Sequence, residues 1–172
     1  MKLENVRLSF EHVFEPVAFE KGGKEKFQAT FLMDNEKHKS TIVAVKKAMK
    51  KCAEDKWGAN KIPKSVKYCI HDGDEKEYDG YEGTQYINSS EQTRPHVVNR
   101  DMSPIVGADG LVYSGCYVNG NITFWAQDNQ FGKRVNASLK GVQLVSAGEA
   151  FGAKRSDVED LFETIDEDDI LS

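Results

Sequence analysis

The sequence has 172 residues, of which 39% are hydrophobic and 30% are charged, and its formal net charge at pH 7 is −5. This length allows one domain with a sizeable core, or one domain followed by a tail. The composition is that of a soluble protein, and no basic segment followed by an apolar run marks a secretory signal or a membrane span. We therefore expect an intracellular protein without a membrane segment.

Acidic residues are concentrated at the C-terminal end. Residues 156–172 contain eight Asp and Glu residues and no Lys or Arg, whereas residues 1–155 contain 23 basic and 20 acidic residues, a net charge of about +3. Acidic blocks of this kind are usually disordered and often bind partners. The sequence predicts a folded domain at residues 1–155 and a flexible acidic interaction tail at residues 156–172.

Cysteines and histidines give no sign of a disulfide framework or a metal site. The three cysteines are far apart and odd in number, which favours buried reduced thiols. Cys69 and His71 lack a second close pair of ligands, and the carboxylates that begin at Asp72 and Asp74 do not follow the EF-hand spacing. We therefore predict no metal and no other cofactor.

The first half of the chain predicts two strands and a helix. Alternating apolar residues indicate a strand over residues 3–14, and a second strand over residues 27–33 follows the turn at residues 21–24, so the two are expected to pair. A helix is predicted from Asp34 or Asn35 to about Asp55. Its apolar face is expected to contain Ile42, Val45, Met49 and Cys52. Its other face has Lys46, Lys47, Lys50 and Lys51, which can contact phosphate or form an ordinary solvated helix face.

The middle of the chain predicts short strands separated by polar loops. Residues 66–70 and 84–90 are typical of strands, and residues 71–83 of a long loop. Arg94 and Arg100 follow in a segment with few other charges. Each guanidinium can bind phosphate or pair with an acidic neighbour such as Glu91 or Asp101.

Residues 109–147 predict a long β-hairpin with its turn at residues 127–132. Side chains alternate between faces, so Cys116, Val118, Ile122, Phe124 and Ala126 form one apolar face. The opposite face has Tyr117 and Trp125 among Asn119, Asn121 and Thr123. These rings can stack on unpaired bases or can pack under the helix or a loop, and bulges at Gly115 or Gly120 would exchange the two faces.

The second strand of the hairpin changes its alternation at Gly141. Val135, Ala137 and Leu139 share one phase, and Val142 and Leu144 take the other. Such a change bends a strand around the corner of a small barrel. Together, the elements predict a mainly β fold with one helix, an OB-type Greek-key barrel followed by the flexible acidic tail.

Three runs of residues and the acidic end carry a resemblance to a known family. The runs RPHVVNRD, YSGCYVNGNITFWAQDN and LKGVQLVSAGEAFG, in this order, resemble the single-stranded DNA-binding proteins of tailed bacteriophages. The resemblance implies an OB-fold domain at residues 1–155 that coats and protects single strands in phage DNA replication, recombination or repair. It implies no catalysis and no cofactor, and it places the protein in the cytoplasm of an infected bacterial cell.

The resemblance also implies two roles for the tail. The tail would compete with DNA for the binding groove, and it would recruit phage or host replication and recombination proteins. Related tails commonly end in an aromatic residue, whereas this chain ends in Ile170, Leu171 and Ser172. The residues expected to bind partners are Asp166, Glu167, Asp168, Asp169, Ile170 and Leu171.

Strand alternation and the placement of charges predict the DNA contacts. Aromatic residues expected to stack on bases are Tyr86, Tyr113, Tyr117, Trp125 and Phe131. Basic residues expected to bind phosphate are Arg94, Arg100, Lys133, Arg134 and Lys140.

Two other classes of protein were compared with this hypothesis. An enzyme is disfavoured because the four histidines and the carboxylates form no recognisable catalytic motif. A protein-interaction or DNA-mimic module that acts through the acidic tail is the alternative. A homodimer, in which the tail of one molecule lies in the groove of another, is also compatible with the sequence.

Overall fold

The computed structural model describes residues 1–152, so the predicted acidic tail lies outside the described residues. Within the described part, the fold is mainly β with one helix, as the sequence predicts. No helix within residues 1–152 is long and apolar enough to span a membrane. The elements in chain order are β1 (Lys2–Ala18), β2 (Glu25–Asp34), α1 (Lys39–Trp57), β3 (Lys67–Tyr68), β4 (Ile70–Asp72), β5 (Thr84–Glu91), β6 (His96–Val98), β7 (Tyr117–Asn129) and β8 (Gly132–Ser146).

Five long strands close into a barrel. Strand β1 pairs with β2 on one side and with β7 on the other, β2 pairs with β5, and β7 pairs with β8, all antiparallel. A parallel contact between Ser90 of β5 and Ser138 of β8 closes the circle. Strands β3 and β6 add to the same edge of β8 before and after this contact. This strand order is that of an OB-type Greek-key barrel.

The barrel interior is filled by the apolar side chains that the strand alternation predicts. Phe31 of β2, Val118 and Ile122 of β7 and Leu139 of β8 are completely buried. The parity predicted for β7 is therefore confirmed, and the faces are not exchanged at Gly120. Gly120 faces the interior instead, where a Cβ atom would lie 2.6 Å from the Phe31 ring.

The predicted change of phase in β8 is a β-bulge. Ile122 pairs with Leu139 and the preceding Asn121 pairs with Gly141, so Lys140 is an extra residue in β8. A bulge at this point increases the bend of the strand. It lets the first half of β8 pair with β5 and the second half with β6.

The helix begins later than the sequence predicts. The Asp34 carboxylate accepts hydrogen bonds from the backbone N–H groups of Glu36 and Lys37, at 2.9 Å each, and so forms a turn that precedes α1. The same bonds, that from Lys37 first, lower the pKa of Asp34. The predicted stop at Gly58 is confirmed, and its N–H donates to the Glu54 carbonyl. The buried face consists of Ile42, Val45, Met49 and Ala53, with Cys52 half-buried at its margin.

Three other segments differ from the prediction. The strand predicted at residues 66–70 is divided into β3, which pairs with β8, and β4, which pairs with β5. The short strand β6 was not predicted, because only three residues of the segment are extended. The hairpin turn is tighter than predicted, since only Gln130 and Phe131 separate β7 from β8.

The cysteines of the described part are free thiols, and two of them are buried. Burial raises the pKa of Cys69 to about 12, so this thiol stays protonated at neutral pH. In the 71–83 loop, the Asp72 and Asp74 carboxylates accept backbone N–H groups of Asp74 and Gly83, at 3.0 and 2.8 Å. These carboxylates organise the loop.

Candidate nucleic-acid interface

A continuous row of neutral polar side chains crosses the outer face of four barrel strands. Strand pairing joins the row step by step, because Thr30 pairs with Asn88, Ser90 pairs with Ser138, and Trp125 pairs with Asn136. Residues next to these in each strand point into the core. We call this row the polar strip; its members are Gln28, Thr30, Asn88, Ser90, Ser138, Asn136, Thr123 and Trp125.

The strip presents amides and hydroxyls without a charged side chain of its own. The Thr30 hydroxyl donates to Asn88 Oδ1 at 2.8 Å, and Asn136 Nδ2 donates to Gln127 Oε1 at 3.0 Å. These bonds hold the amide groups in fixed orientations while Asn88 stays exposed. Such groups can bond base edges or backbone without a preference for one base.

Trp125 is the aromatic residue of the strip, and its side chain is 45% exposed. The ring is therefore not covered by the helix or by a loop, and base stacking stays a prediction for it. The other tryptophan, Trp57 at the end of α1, donates its indole N–H to Asp128 Oδ2 at 3.0 Å. This hydrogen bond connects α1 to β7, so Trp57 has a structural role. Phe131, at the tip of the β7–β8 turn, is 74% exposed.

Basic side chains border the strip at the β7–β8 turn. Arg134 is exposed, lies on the same face of β8 as Asn136, and is a direct strand neighbour of Lys67. Lys133 has the opposite parity, is half-buried and pairs with Asp128 across the hairpin. Lys61 and Lys64 precede β3 and are exposed.

The lysines before β3 were not among the residues predicted to bind phosphate. A signal was present in the sequence, since residues 60–67 contain three lysines and no carboxylate. The pairing of β3 with β8 brings this segment to the hairpin.

The β1–β2 turn borders the other end of the strip, beside Lys26 and Gln28 of β2. Phe19 in this turn is 90% exposed, and Lys21 and Lys24 are exposed with it. In OB barrels, this turn and the turn between the last two strands flank the oligonucleotide groove. The sequence predicts only a turn here, and Phe19 was not among the residues predicted to stack on bases.

Lys140, predicted to bind phosphate, is paired with a carboxylate. Its Nζ lies 3.1 Å from Oε2 of Glu91, and this hydrogen bond is the main cause of the lowered pKa of Glu91. The lysine is half exposed, so it can exchange this partner for a phosphate at the surface.

The two predicted arginines form no ion pair within residues 1–152. Arg94 is exposed and donates from Nη2 to the Phe14 carbonyl at 2.7 Å. Arg100 is exposed and lines a shallow pocket with Asn119 and Gln143, near the end of β7 that is remote from Trp125. Asp101 accepts the Ser103 N–H and does not pair with either arginine.

Tyr86 does not offer a stacking surface, contrary to the prediction. It is only 6% exposed and packs against Leu32 and Tyr81 outside the barrel, in a second small apolar cluster. Burial raises its pKa. The alternation predicted correctly that Tyr86 points outward, but the 71–83 loop covers it.

Tyr113 and Tyr117 also lie away from the strip. The Tyr113 hydroxyl donates to the Gly148 carbonyl at 2.7 Å and accepts the Gly148 N–H at 3.0 Å. The Tyr117 ring lies beneath the Arg7 guanidinium, 5.6 Å from its centroid. Tyr117 is eight residues from Trp125 along β7, about 27 Å at the rise of an extended strand, so the two rings serve different surfaces.

The loop at residues 71–83 is acidic, and its charge is unfavourable for phosphate binding nearby. It contains six carboxylates and one lysine, a formal charge of −5 with histidine neutral. Strand β4 attaches this loop to the first half of β5. The basic borders therefore lie at the two turns, and the acidic surface lies beside Tyr86.

A closed five-strand Greek-key barrel with an open polar face belongs to the OB class, which binds oligonucleotides and oligosaccharides. The family model described as the single-stranded DNA-binding protein of Enterobacter phage Enc34 matches residues 1–171, and the chain belongs to this family. The family resemblance predicted from the sequence is thus confirmed. Protein p50 of Acyrthosiphon pisum secondary endosymbiont phage 1 is 42% identical over 159 residues, which are 88% of this chain and 85% of p50.

Solved structures agree with this assignment. The single-stranded DNA-binding protein of bacteriophage Enc34 in complex with single-stranded DNA is 33% identical, with 88% of each chain covered and a TM-score of 0.77. A second structure of the same phage protein is 31% identical, with 94% of this chain and 89% of that chain covered and a TM-score of 0.74. Bacteriophage T7 gp2.5 is 15% identical over 95% of this chain and 94% of its own, with a TM-score of 0.59, and shares the fold.

Proposed function

We propose that this protein binds single-stranded DNA along the polar strip, without sequence preference. The observation that carries the proposal is the arrangement of an exposed tryptophan among fixed amides, bordered at both turns by basic side chains. Bases can stack on Trp125, Phe131 and Phe19, because every base has a flat face. Phosphates can then bind the lysines and arginines at the borders.

The proposed contact set combines predicted and newly found residues. Trp125, Phe131, Lys133, Arg134, Arg94 and Lys140 are kept from the sequence-based prediction, and Arg100 is left out because it lies near the end of β7 that is remote from Trp125. The structure motivates the addition of Phe19, Lys21, Lys24, Lys61, Lys64 and Lys67. Tyr86, Tyr113 and Tyr117 are left out because their rings or hydroxyls already contact protein groups.

The biological role follows from binding of this kind. The protein would coat and protect exposed single strands during phage DNA replication, recombination or repair, in the cytoplasm of the infected cell. The single-stranded DNA-binding protein of bacteriophage Enc34, which is described in complex with single-stranded DNA, supports the binding on which this role depends. The family model and the solved relatives are described as single-stranded DNA-binding proteins, and we propose no catalytic activity for this chain.

The acidic tail would compete with DNA for the polar strip and its basic borders. A row of carboxylates resembles a phosphate chain in charge, so residues 157–169 can occupy the basic borders when DNA is absent. When DNA displaces the tail, residues 166–171 become free to recruit phage or host replication and recombination proteins.

A titration tests the proposed function. The full-length protein is titrated with a labelled single-stranded oligonucleotide at low and at moderate salt, with duplex DNA of equal length as competitor. We expect binding that prefers the single strand and weakens as salt rises, because phosphate contacts release counterions. If neither the full-length protein nor residues 1–155 bind the oligonucleotide, the proposal is wrong. Inhibition of another DNA-binding protein would then favour the DNA-mimic alternative.

A further inference from the structure

A cleft of about 410 Å³ opens beside β1 and the 71–83 loop. Two aromatic side chains line it in the open, Phe10 at 49% and Tyr78 at 51% exposure, with ring centroids 5.4 Å apart. Phe10 has a φ of 45°, a backbone conformation that is uncommon for a bulky residue. Backbone strain of this kind is concentrated at functional surfaces, and the ring at this position is exposed.

The chemistry of the cleft fits a cation. Glu77 and Asp79 line it with the two rings. Within residues 1–152, neither carboxylate forms an ion pair or a side-chain hydrogen bond. Aromatic faces attract Lys and Arg side chains, and the surrounding loop adds negative charge.

After β8, the backbone of this chain runs along the barrel surface to the cleft. The backbone of residues 147–152 is held by Arg7, whose Nη2 donates to the Glu149 carbonyl at 2.6 Å, and by the Phe151 N–H, which donates to the Ser114 carbonyl at 2.9 Å. The Arg7 guanidinium also lies 4.1 Å from the centroid of the Phe151 ring. Phe151 and Gly152 both line the cleft.

The fit between this segment and the barrel is close. A Cβ atom at Gly80 would overlap the Phe151 ring, and one at Gly115 would overlap the Glu149 carbonyl oxygen. The barrel surface therefore leaves space for the segment where a side chain would otherwise lie. The position of Gly152 at the cleft is determined by these contacts.

We propose that the cleft binds Lys154 and Arg155 of the same chain. These are the second and third residues after Gly152, within about 7–11 Å of extended chain. They are also the only Lys or Arg residues after Lys140. A tether this short gives the basic pair a high effective concentration at the cleft. Binding of the basic pair would fix the point on the barrel from which the acidic tail starts, at Ser156. A role of this fixed start in competition with DNA rests on the proposed function, whereas binding of the basic pair does not.

Trypsin cleavage tests the proposal without DNA. Trypsin cuts after Lys154 and Arg155, and binding in the cleft protects both bonds. In the full-length protein at low salt, we expect the double variant Glu77→Gln, Asp79→Asn to be cut there about three to ten times faster than the wild type. Mass spectrometry follows these cuts and, as an internal reference, those after Lys21 and Lys24.

A matched variant distinguishes an effect of the cleft carboxylates from an effect of the overall charge of the loop. Glu75→Gln, Glu82→Gln makes the same change in charge within the same loop, at exposed residues that do not line the cleft. We expect this variant to be cut at the wild-type rate. Equal cleavage rates in all three proteins, or equal acceleration in both variants, would overturn the proposal.

A second pair of variants tests the approach to the cleft. Gly80 and Gly83 have similar positive φ values, 79° and 70°, but only Gly80 faces the Phe151 ring, and the space at Gly83 is open. Alanine imposes the same backbone strain at both positions. We expect Gly80→Ala to expose Lys154 and Arg155 to trypsin several times more than Gly83→Ala, and equal exposure would contradict the proposal.

Discussion

Replacing Trp125 with alanine is expected to weaken the binding of single-stranded DNA by about 5- to 150-fold. This range corresponds to the loss of one stacked base, about 1–3 kcal/mol. The free energy of unfolding should change little, because the ring is 45% exposed and leaves no cavity in the barrel core. Fluorescence anisotropy with a labelled oligonucleotide measures the affinity, and urea unfolding followed by circular dichroism measures the stability.

Val43→Ala is the control for this substitution. Val43 is a large apolar residue on α1 that is 61% exposed and lies outside the polar strip. Its replacement should leave the affinity for DNA unchanged. If Trp125→Ala instead unfolds the domain, Trp125 has a structural role, and if the variant binds DNA as the wild type does, the strip is not the binding surface.

Removing residues 156–172 is expected to tighten DNA binding and to reduce the preference for single strands over duplex. The truncation removes eight carboxylates and changes the formal charge from −5 to about +3. At low salt we expect affinity to rise by about tenfold, because DNA no longer competes with the tail and approaches a basic surface. Duplex should gain more than the single strand, since it has the higher charge density.

A neutralised tail separates charge from length in this experiment. In this variant the eight Asp and Glu residues of the tail become Asn and Gln, so the chain keeps all 172 residues. We expect it to bind DNA as the truncated protein does, with the difference from the wild type shrinking as salt rises. Affinity at low salt that is equal in the wild type and the truncated protein would show that the tail does not compete.

The barrel could be predicted because strand alternation is a local property. Val118 and Ile122 point inward and Trp125 outward, as a period of two requires, and the bulge at Lys140, next to Gly141, accounts for the change of phase in β8. The apolar spacing predicted the helix, but it did not predict the residue at which the helix begins. The Asp34 carboxylate stabilises a separate turn instead of capping the helix directly.

The candidate site was predicted only in part, because alternation does not show which outward residues another segment covers. Tyr86 points outward and is buried by a loop that is adjacent only after folding. Tyr113 and Tyr117 support the segment that follows β8, through Gly148 and Arg7, and neither contact has a local signal in the sequence.

The residues that were missed belong to turns and irregular segments. Phe19 and the lysines before β3 have no periodic pattern around them, so their position depends on how the barrel closes. Pairing of β3 with β8 and of β1 with β2 brings them to the two ends of the strip.

The central claim is that single-stranded DNA lies on the polar strip, between the β1–β2 turn and the β7–β8 turn. Photocrosslinking tests it most directly: an oligonucleotide that contains 4-thiothymidine is bound to the full-length protein and irradiated, and the adducts are located by mass spectrometry. We predict adducts at Trp125, Phe131 and Phe19. Adducts confined to the surface around Phe10 and Tyr78, or to the lysine face of α1, would contradict the account.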